Sequence, residues 1–349
     1  MHTIGHVIRK LVSNTRDLPP IPASPYSEQC VMLAVHSMSR HMTDEGWQLQ
    51  LGLQGAGYTL VGHGFPRNET NVGEILGAYH PTTLVIQDKR EWDGRTANNP
   101  DPRMRFRGIQ TLRNYNQIFK VTVLKDAHNE GYYHRHSAEE MGVHAWIVYY
   151  HPYLVQRVAP WIRLRHCIRI YHSVNPEDIP QYDGDRPWGC LLSGAISGCY
   201  PLRMRLARDR EKIPACDHHK HPGYHANGSH TPDYLKTLSR YKVALCTCSK
   251  YGYALRRIFE ATACGCRVIT DLPADDVLPV IDTNLIRISP VETTGRIAEL
   301  VAEAIQTYNP EVQHRFATAA QEYYDYRVAG RRLAQAIQAM KLSYREEEP

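Results

Sequence analysis

The residues best equipped for chemistry lie in one stretch, Lys242–Pro273, KVALCTCSKYGYALRRIFEATACGCRVITDLP. An apolar run there leads through Ser249–Gly252 into a helical period, and the open N–H groups and dipole of a helix start favour an anion. Gly252 permits close backbone approach, and Lys250, Arg256 and Arg257 supply cations for charge building on a phosphate leaving group. Arg256 and Arg257 are adjacent and face different ways, so one is expected on the phosphate and the other as a surface cation. Glu260 lies four residues after Arg256, where a helical salt bridge is the simple alternative to a binding role. Gly265 ends the helix as a left-handed residue would, and the chain turns into a strand near Arg267. The pattern describes a diphosphate seated at the helix start near Tyr253.

Other candidates stand where strands end. Asp88 follows the apolar run TTLVIQ and opens DKREWD; a carboxylate there is placed to act as a general base or to form a helix cap or an ion pair with Lys89 or Arg90. Asp126 and His128 occupy the same position after the strand ending at Leu124, and His36 follows the first strand. Cys216, His218, His219, His221, His225 and His230 crowd Ala215–His230, but their spacing matches no zinc finger, so a polar cleft loop without metal is expected.

Charge is unevenly spread. Pro102–Pro176 holds eleven basic residues against four acids, and six of them, from Arg103 through Arg105, Arg107, Arg113 and Lys120 to Lys125, occur with no acid between Asp101 and Asp126. They alternate with Phe106, Tyr115 and Phe119. Such a surface suits a polyanion, nucleic acid being the commonest, and reaction at a duplex base would require flipping it against aromatic side chains such as Trp92, Tyr132 or Tyr133.

These residues need a frame. Strands are expected over Cys30–Val35, Tyr58–Val61, Thr82–Gln87, Phe119–Leu124, Ala145–Tyr150 and Cys167–Tyr171. Helices fall between them at Asp44–Gln54, Val72–Tyr79, Gly108–Tyr115, near Ser137, and from Pro152 until Pro160 ends or bends it. The Pro- and Asp-rich Asn175–Pro187 reads as a linker. A second series follows: strands Trp188–Ser193, Lys242–Thr247, Arg267–Thr270 and Ile286–Ile288, helices Leu202–Arg210 and Ala254–Cys264, and a helical tail Glu311–Met340 interrupted at Gly330. Alternating apolar strands and amphipathic helices imply parallel sheets covered on both faces. The expected division is 1–180, 181–310 and a tail 311–349.

With 349 residues, 42% hydrophobic and 22% charged, the chain can bury two cores and is neither a disordered tail nor a stapled miniature. No run of eighteen apolar residues occurs, Met1–Pro22 lacks the apolar core of a leader, and nine cysteines follow no disulfide framework. A cytoplasmic protein without membrane partner is expected; the oligomeric state is open.

The run Arg257–Asp271, RIFEATACGCRVITD, resembles the donor-site segment of GT-B glycosyltransferases: a Glu, small residues, Ala, Gly, then an apolar strand. The resemblance implies an α/β chain of two Rossmann-like, doubly wound domains facing across a cleft, with a nucleotide sugar on the second and the acceptor on the first. It implies that Glu260 binds the ribose hydroxyls, that the Ser193-Gly194 turn opens the donor domain, and that Arg203, in YPLR, faces the diphosphate beside Lys250, Gly252, Tyr253 and Arg256. Asp88, Asp126 and His36 become the candidates for the acceptor's base, His36 lying where some such enzymes carry it. Many retaining members have an acid eight residues before the ribose Glu, where this chain has Gly252. The implied donor is UDP-glucose or UDP-GlcNAc with no metal. The implied acceptor is a hydroxyl on a large anion, foremost hydroxymethylated pyrimidines in double-stranded DNA, contacted by Trp92, Arg103, Arg105, Arg107 and Arg113. A polysaccharide, a small metabolite, or a binding module without turnover are the alternatives.

Overall fold

A computed structural model describes residues 29–36, 44–88, 103, 105–128, 131–181, 186–221 and 230–347. Six strands form the first sheet: β1 (Cys30–Leu33), β2 (Thr59–Val61), β3 (Thr83–Ile86), β4 (Phe119–Leu124), β5 (Ala145–Val148) and β6 (Cys167–Arg169). They pair in the order β2-β1-β3-β4-β5-β6, all parallel. Five more, β7 (Trp188–Ser193), β8 (Cys216–His219), β9 (Tyr241–Leu245), β10 (Arg267–Thr270) and β11 (Leu285–Arg287), pair as β11-β10-β9-β7-β8, again all parallel. Continuous apolar runs such as TLVI of β3, buried throughout, require cover on both faces.

Helices provide that cover. In the first half these are α1 (Glu45–Gly55), α2 (Val72–Tyr79), α3 (Gly131–Met141) and α4 (Pro152–Val158); in the second, α5 (Pro201–Arg208), α6 (Thr231–Leu238), α7 (Arg256–Ala263) and α8 (Thr294–Gln306). The segment expected as a helix at Gly108–Tyr115 is a 3-10 helix, Ile109–Asn114. In each sheet the strand order reverses once, between β1 and β3 and between β7 and β9. The crevice beyond the strand ends at such a reversal is where open α/β sheets bind ligands.

The tail is two helices, α9 (Pro310–Tyr324) and α10 (Tyr326–Glu347). The break falls at Asp325, not Gly330. Asp325 accepts the Arg327 N–H at 2.8 Å, and the link residue Val174 bonds the backbone on either side of it, at Tyr324 and Tyr326. Gly330 lies inside α10 and lets that helix cross α1 at Gly52: a Cβ at residue 330 would come within 2.1 Å of the Gly52 carbonyl carbon. The tail thus starts on the second sheet's side, where α9 bonds the end of α7 through Gln321 and Ala263, and finishes on the first. Among the described residues, no helix is long and apolar enough to cross a membrane.

Candidate functional site

A cavity of about 340 Å³ lies beyond the β7 end, at the reversal in the second sheet. Its floor is the Ser193-Gly194 turn. Gly194 has φ +113°, and a Cβ there would lie 2.6 Å from the Nη1 atoms of both Arg203 and Arg257, so glycine is required and two guanidinium groups converge over it. Arg203 comes from α5 and is fully buried. Three hydrogen bonds, to the Thr247 hydroxyl (3.1 Å), the Thr247 carbonyl (3.0 Å) and the Ala195 carbonyl (3.1 Å), fix its plane without cancelling its charge. Arg257, from the first turn of α7, lines the cavity, and its Nε is buried with no hydrogen-bond partner. Among the described residues neither arginine forms an ion pair.

The resulting positive field acts on neighbouring groups. Burial, reinforced by Arg257, pushes the Arg203 pKa down to about 10. His221, on the cavity wall, is pushed down to about 4 by burial and by the two arginines, and His219 is lowered by burial and by Arg257. Two guanidinium groups converging above a glycine turn without an ion pair are an arrangement able to hold an anion.

A buried ionic network beside these residues joins the two halves. Arg256 pairs with Asp44, which precedes α1, at 2.6 Å and with Glu260 at 3.0 Å. Asp44 also accepts from the Thr231 hydroxyl (3.1 Å) and the Gln48 amide (2.7 Å). Burial alone would raise the Asp44 pKa, but the Arg256 charge and these bonds hold it below the usual range. For Glu260 burial wins over Arg256 and Arg257, and its pKa is raised. Beside them His172, on the cavity wall, contacts Glu45 through Nδ1 and the Ala254 carbonyl through Nε2 (3.0 Å). Burial would raise the Glu45 pKa, yet the His172 charge and hydrogen bond bring it to about 2.

Of the expected donor residues, Ser193, Gly194, Arg256 and Glu260 line this cavity and Arg203 lies just behind Gly194. Lys250, Gly252 and Tyr253 do not. Lys250 is exposed over the Tyr251 ring. Gly252, at φ +76°, packs on Pro273 and Leu154, and Tyr253 is buried against Tyr150 with ring centroids 3.8 Å apart. His128 stacks on Tyr251 at 4.1 Å. The Ser249–Gly252 loop therefore meets the first half of the chain, and α7 begins only at Arg256, after the Leu255 cap, instead of near Tyr253. Neither arginine of the pair is a surface cation: Arg256, the one expected among the donor-binding residues, is consumed by two carboxylates, and Arg257 lines the cavity.

The histidine cluster resolves into a strand. Cys216–His219 is β8, whose alternation separates His219 from Cys216 and His218. His219, His221 and His230 line the cavity with Tyr234, whose hydroxyl meets Ser193 Oγ at 2.9 Å. His225 lies outside the described residues, and among those described no three His, Cys, Asp or Glu side chains converge as metal ligands.

The first sheet places its candidates at strand ends. His36 follows β1, edge-on to Trp47 (5.4 Å) and Phe65 (5.5 Å). Asp88 follows β3, is completely buried, and accepts the Lys125 N–H at 2.9 Å. Asp126 follows β4, half-buried, and accepts from the Tyr150 hydroxyl at 3.2 Å.

The basic series divides. Arg103, Arg105, Arg107 and Arg113 are exposed. Phe106, between Arg105 and Arg107, packs near Gly62 and Ala34 at the carboxyl ends of β1 and β2, whereas Arg113 lies against Gly142, at the sheet's other end. Lys120 is unavailable to any polyanion: it is buried, donates to the Leu112 (3.1 Å) and Tyr115 (2.8 Å) carbonyls, and burial pushes its pKa down to about 8. Trp92 lies outside the described residues, as do the side chains of Tyr132 and Tyr133.

No family model and no curated protein matches this sequence. Solved structures do. Sucrose-phosphate synthase from Thermosynechococcus elongatus superposes with a TM-score of 0.54 over 90% of this chain and 99% of that one, at 11% identity. A glycosyltransferase from Rickettsia africae ESF-5 gives 0.51 over 89% and 98% at 8% identity, and Anabaena Alr3699/HepE in complex with UDP gives 0.51 over 89% and 100% at 9%. The chain has the GT-B fold. In this GT-B chain the cavity beyond β7 belongs to the second Rossmann-like sheet, and Asp126, Tyr150 and Tyr253 meet where the two halves face each other.

Proposed function

We propose that this chain is a glycosyltransferase that takes a sugar from a nucleoside diphosphate donor, UDP-glucose or UDP-GlcNAc, and attaches it to a hydroxyl of a large anionic acceptor. The observation that carries the reading is the pair of guanidinium groups, Arg203 and Arg257, which form no ion pair among the described residues, above Gly194 in a cavity that Glu260 also lines. Two fixed cations stabilise a departing diphosphate without solvent reorganisation and supply charge that a divalent ion would otherwise bring. Glu260, in the same lining, accepts from the ribose hydroxyls. The fold relative HepE was solved with UDP and with UDP-glucose, which supports a nucleotide sugar here.

In the reaction the acceptor oxygen bonds to the anomeric carbon, the bond from that carbon to the diphosphate oxygen breaks, and the acceptor proton passes to a base. Asp126 suits that task best among the three candidates. It is half-exposed beside Tyr150 at the junction of the halves, whereas Asp88 is buried and engaged with Lys125, and His36 sits between Trp47 and Phe65.

The acceptor reading rests on exposed Arg103, Arg105 and Arg107, with hydroxymethylated pyrimidine in duplex DNA as its foremost case. A cytoplasmic setting accords with nine cysteines that are all free thiols. The test is nucleotide release and acceptor mass over a panel of nucleotide sugars, with hydroxymethylated DNA, plain DNA and anionic polysaccharide as acceptors. Sugar-sized mass gain on one acceptor, abolished in Asp126→Asn, supports the reading. No nucleotide release with any pair would refute it.

A further inference from the structure

Four histidines among the described residues line the Gly194 cavity: His172, His219, His221 and His230. His172 is engaged by Glu45 and the Ala254 carbonyl, and His230 flanks the start of α6. His219 borders the place where the two guanidinium groups converge. It ends β8, and its register partner on β7 is Ser193, the residue before Gly194. Paired strands lie about 4.8 Å apart, so the His219 backbone runs beside that turn. Its ring meets the Tyr234 ring at 5.6 Å between centroids, and the Tyr234 hydroxyl meets Ser193 Oγ at 2.9 Å. His221 follows two residues later in the same lining, and both imidazoles are half-buried.

Charge decides what these two rings can do. Around them stand Arg257 and Lys220, with Arg203 behind Gly194, against the carboxylates Asp233 and Glu260; Arg256 is spent on Asp44 and Glu260. Tyr200 and Tyr234 add phenol hydroxyls. In the protein alone, burial and Arg257 lower the His219 pKa, and burial with Arg257 and Arg203 pushes His221 down to about 4, so both rings are neutral at neutral pH. A nucleotide sugar changes that balance. Neither of its phosphates is a monoester, so neither has the second ionisation near about pH 6, and the ligand itself exchanges no proton there. Its two negative charges offset the arginine field, which lets the imidazoles gain a proton and become charge-assisted donors to phosphate oxygens. Proton and donor then favour each other reciprocally.

We propose that His219 and His221 are donor-binding residues that hold the diphosphate as imidazolium ions, so that a nucleotide sugar enters the cavity together with a proton. The inference rests on the donor reading above and adds two ligands and a pH dependence to it. Above about pH 8 an imidazole stays neutral whether or not donor is bound. Below about 4, His221 is charged already. Affinity rises as pH falls between these limits, because the proton is bound more tightly in the complex. Departure of the sugar leaves one more negative charge on the diphosphate, which the imidazolium ions offset.

The experiment is isothermal titration of the full chain with UDP-glucose and with UDP-GlcNAc at about pH 6 and about pH 8, each in two buffers of different ionisation enthalpy, which reads the protons taken up per donor bound. His219→Gln, His221→Gln, the double variant and His218→Gln are compared with wild type; the His218 ring lies on the other side of β8, outside this cavity. Wild type should take up about 0.5–1 proton at the lower pH and close to none at the higher, and should bind about 3- to 10-fold tighter at the lower. Each single variant should reduce the uptake, the double variant should abolish it and level the two affinities, and His218→Gln should behave as wild type. Should the double variant fail to fold, His221→Gln alone decides. Donor binding without proton uptake at the lower pH overturns the inference and leaves the donor reading standing. So does uptake that persists in the double variant, which would assign the proton to Glu260, His172 or His230. No binding of either nucleotide sugar at either pH overturns both.

Discussion

Arg257→Ala should separate stability from donor affinity. A buried arginine paired to a carboxylate leaves a stranded charge when removed, which typically costs about 3–5 kcal/mol. Among the described residues Arg257 forms no ion pair; Glu260 feels its charge, and its neighbour over Gly194 is another cation, whose pKa it lowers. Truncation therefore removes a like-charge contact with Arg203 together with an attraction to Glu260 and some stem packing, which offset one another, and the folded state should change by no more than about 1 kcal/mol. Donor binding should suffer much more. A hydrogen bond to a charged group contributes about 1.5–3 kcal/mol, and at 1.4 kcal/mol per decade its loss weakens the nucleotide sugar by about 10- to 150-fold. Arg257→Lys restores the charge without the planar fork and should fall between. Calorimetric titration with the donor, beside thermal melting of each variant, reads both quantities. A variant that melts several degrees lower yet binds donor like wild type would show that Arg257 serves the fold, and would refute the reasoning.

Other consequences are equally direct. Asp44→Ala leaves Arg256 paired with Glu260 but unties Thr231 and Gln48 from the junction of the halves, and should cost about 1–3 kcal/mol in urea unfolding. Glu45 has a folded pKa of about 2 against 4.5 when free, so its contribution is complete above pH 4.5 and lost as pH falls toward 2. Wild type should therefore lose about 3 kcal/mol more than Glu45→Gln over that interval, and parallel acid titrations would contradict this. Gly330→Ala must push α10 off the Gly52 backbone and should cost on the order of 3 kcal/mol, whereas Gly77→Ala, in α2 with nothing within 4 Å, should stabilise by about 0.5–1 kcal/mol.

The sheets were legible because their strands are short apolar runs between polar turns: β4, β7 and β10 fall where the residues place them. The failures have physical causes. Strand β8 is CDHH, whose polar residues suit an edge position and hide the strand from any hydrophobic pattern, so its histidines read as a cluster. Helix α8 carried a usable signal, Thr293 capping the Arg296 N–H at 3.1 Å ahead of buried Ile297, Val301 and Ala304, that the reading passed over. Gly330 looked like a helix break because glycine's usual penalty was weighed without the helix that crosses it.

In the site, the Arg257–Asp271 motif and the Ser193-Gly194 turn led to residues that share one cavity. What could not be read was which cation remains open. That depends on Asp44, far away in sequence, which takes Arg256, and on Tyr150, which takes Tyr253 and with it the loop expected to hold the diphosphate. Long-range pairing of this kind leaves no local trace.

The most direct measurement is a crystal structure of the chain with bound UDP. The account predicts the diphosphate over Gly194, within hydrogen-bond reach of Arg203 and Arg257, and the ribose hydroxyls on Glu260. A nucleotide seated at the Ser249–Gly252 loop or outside the cavity would contradict it.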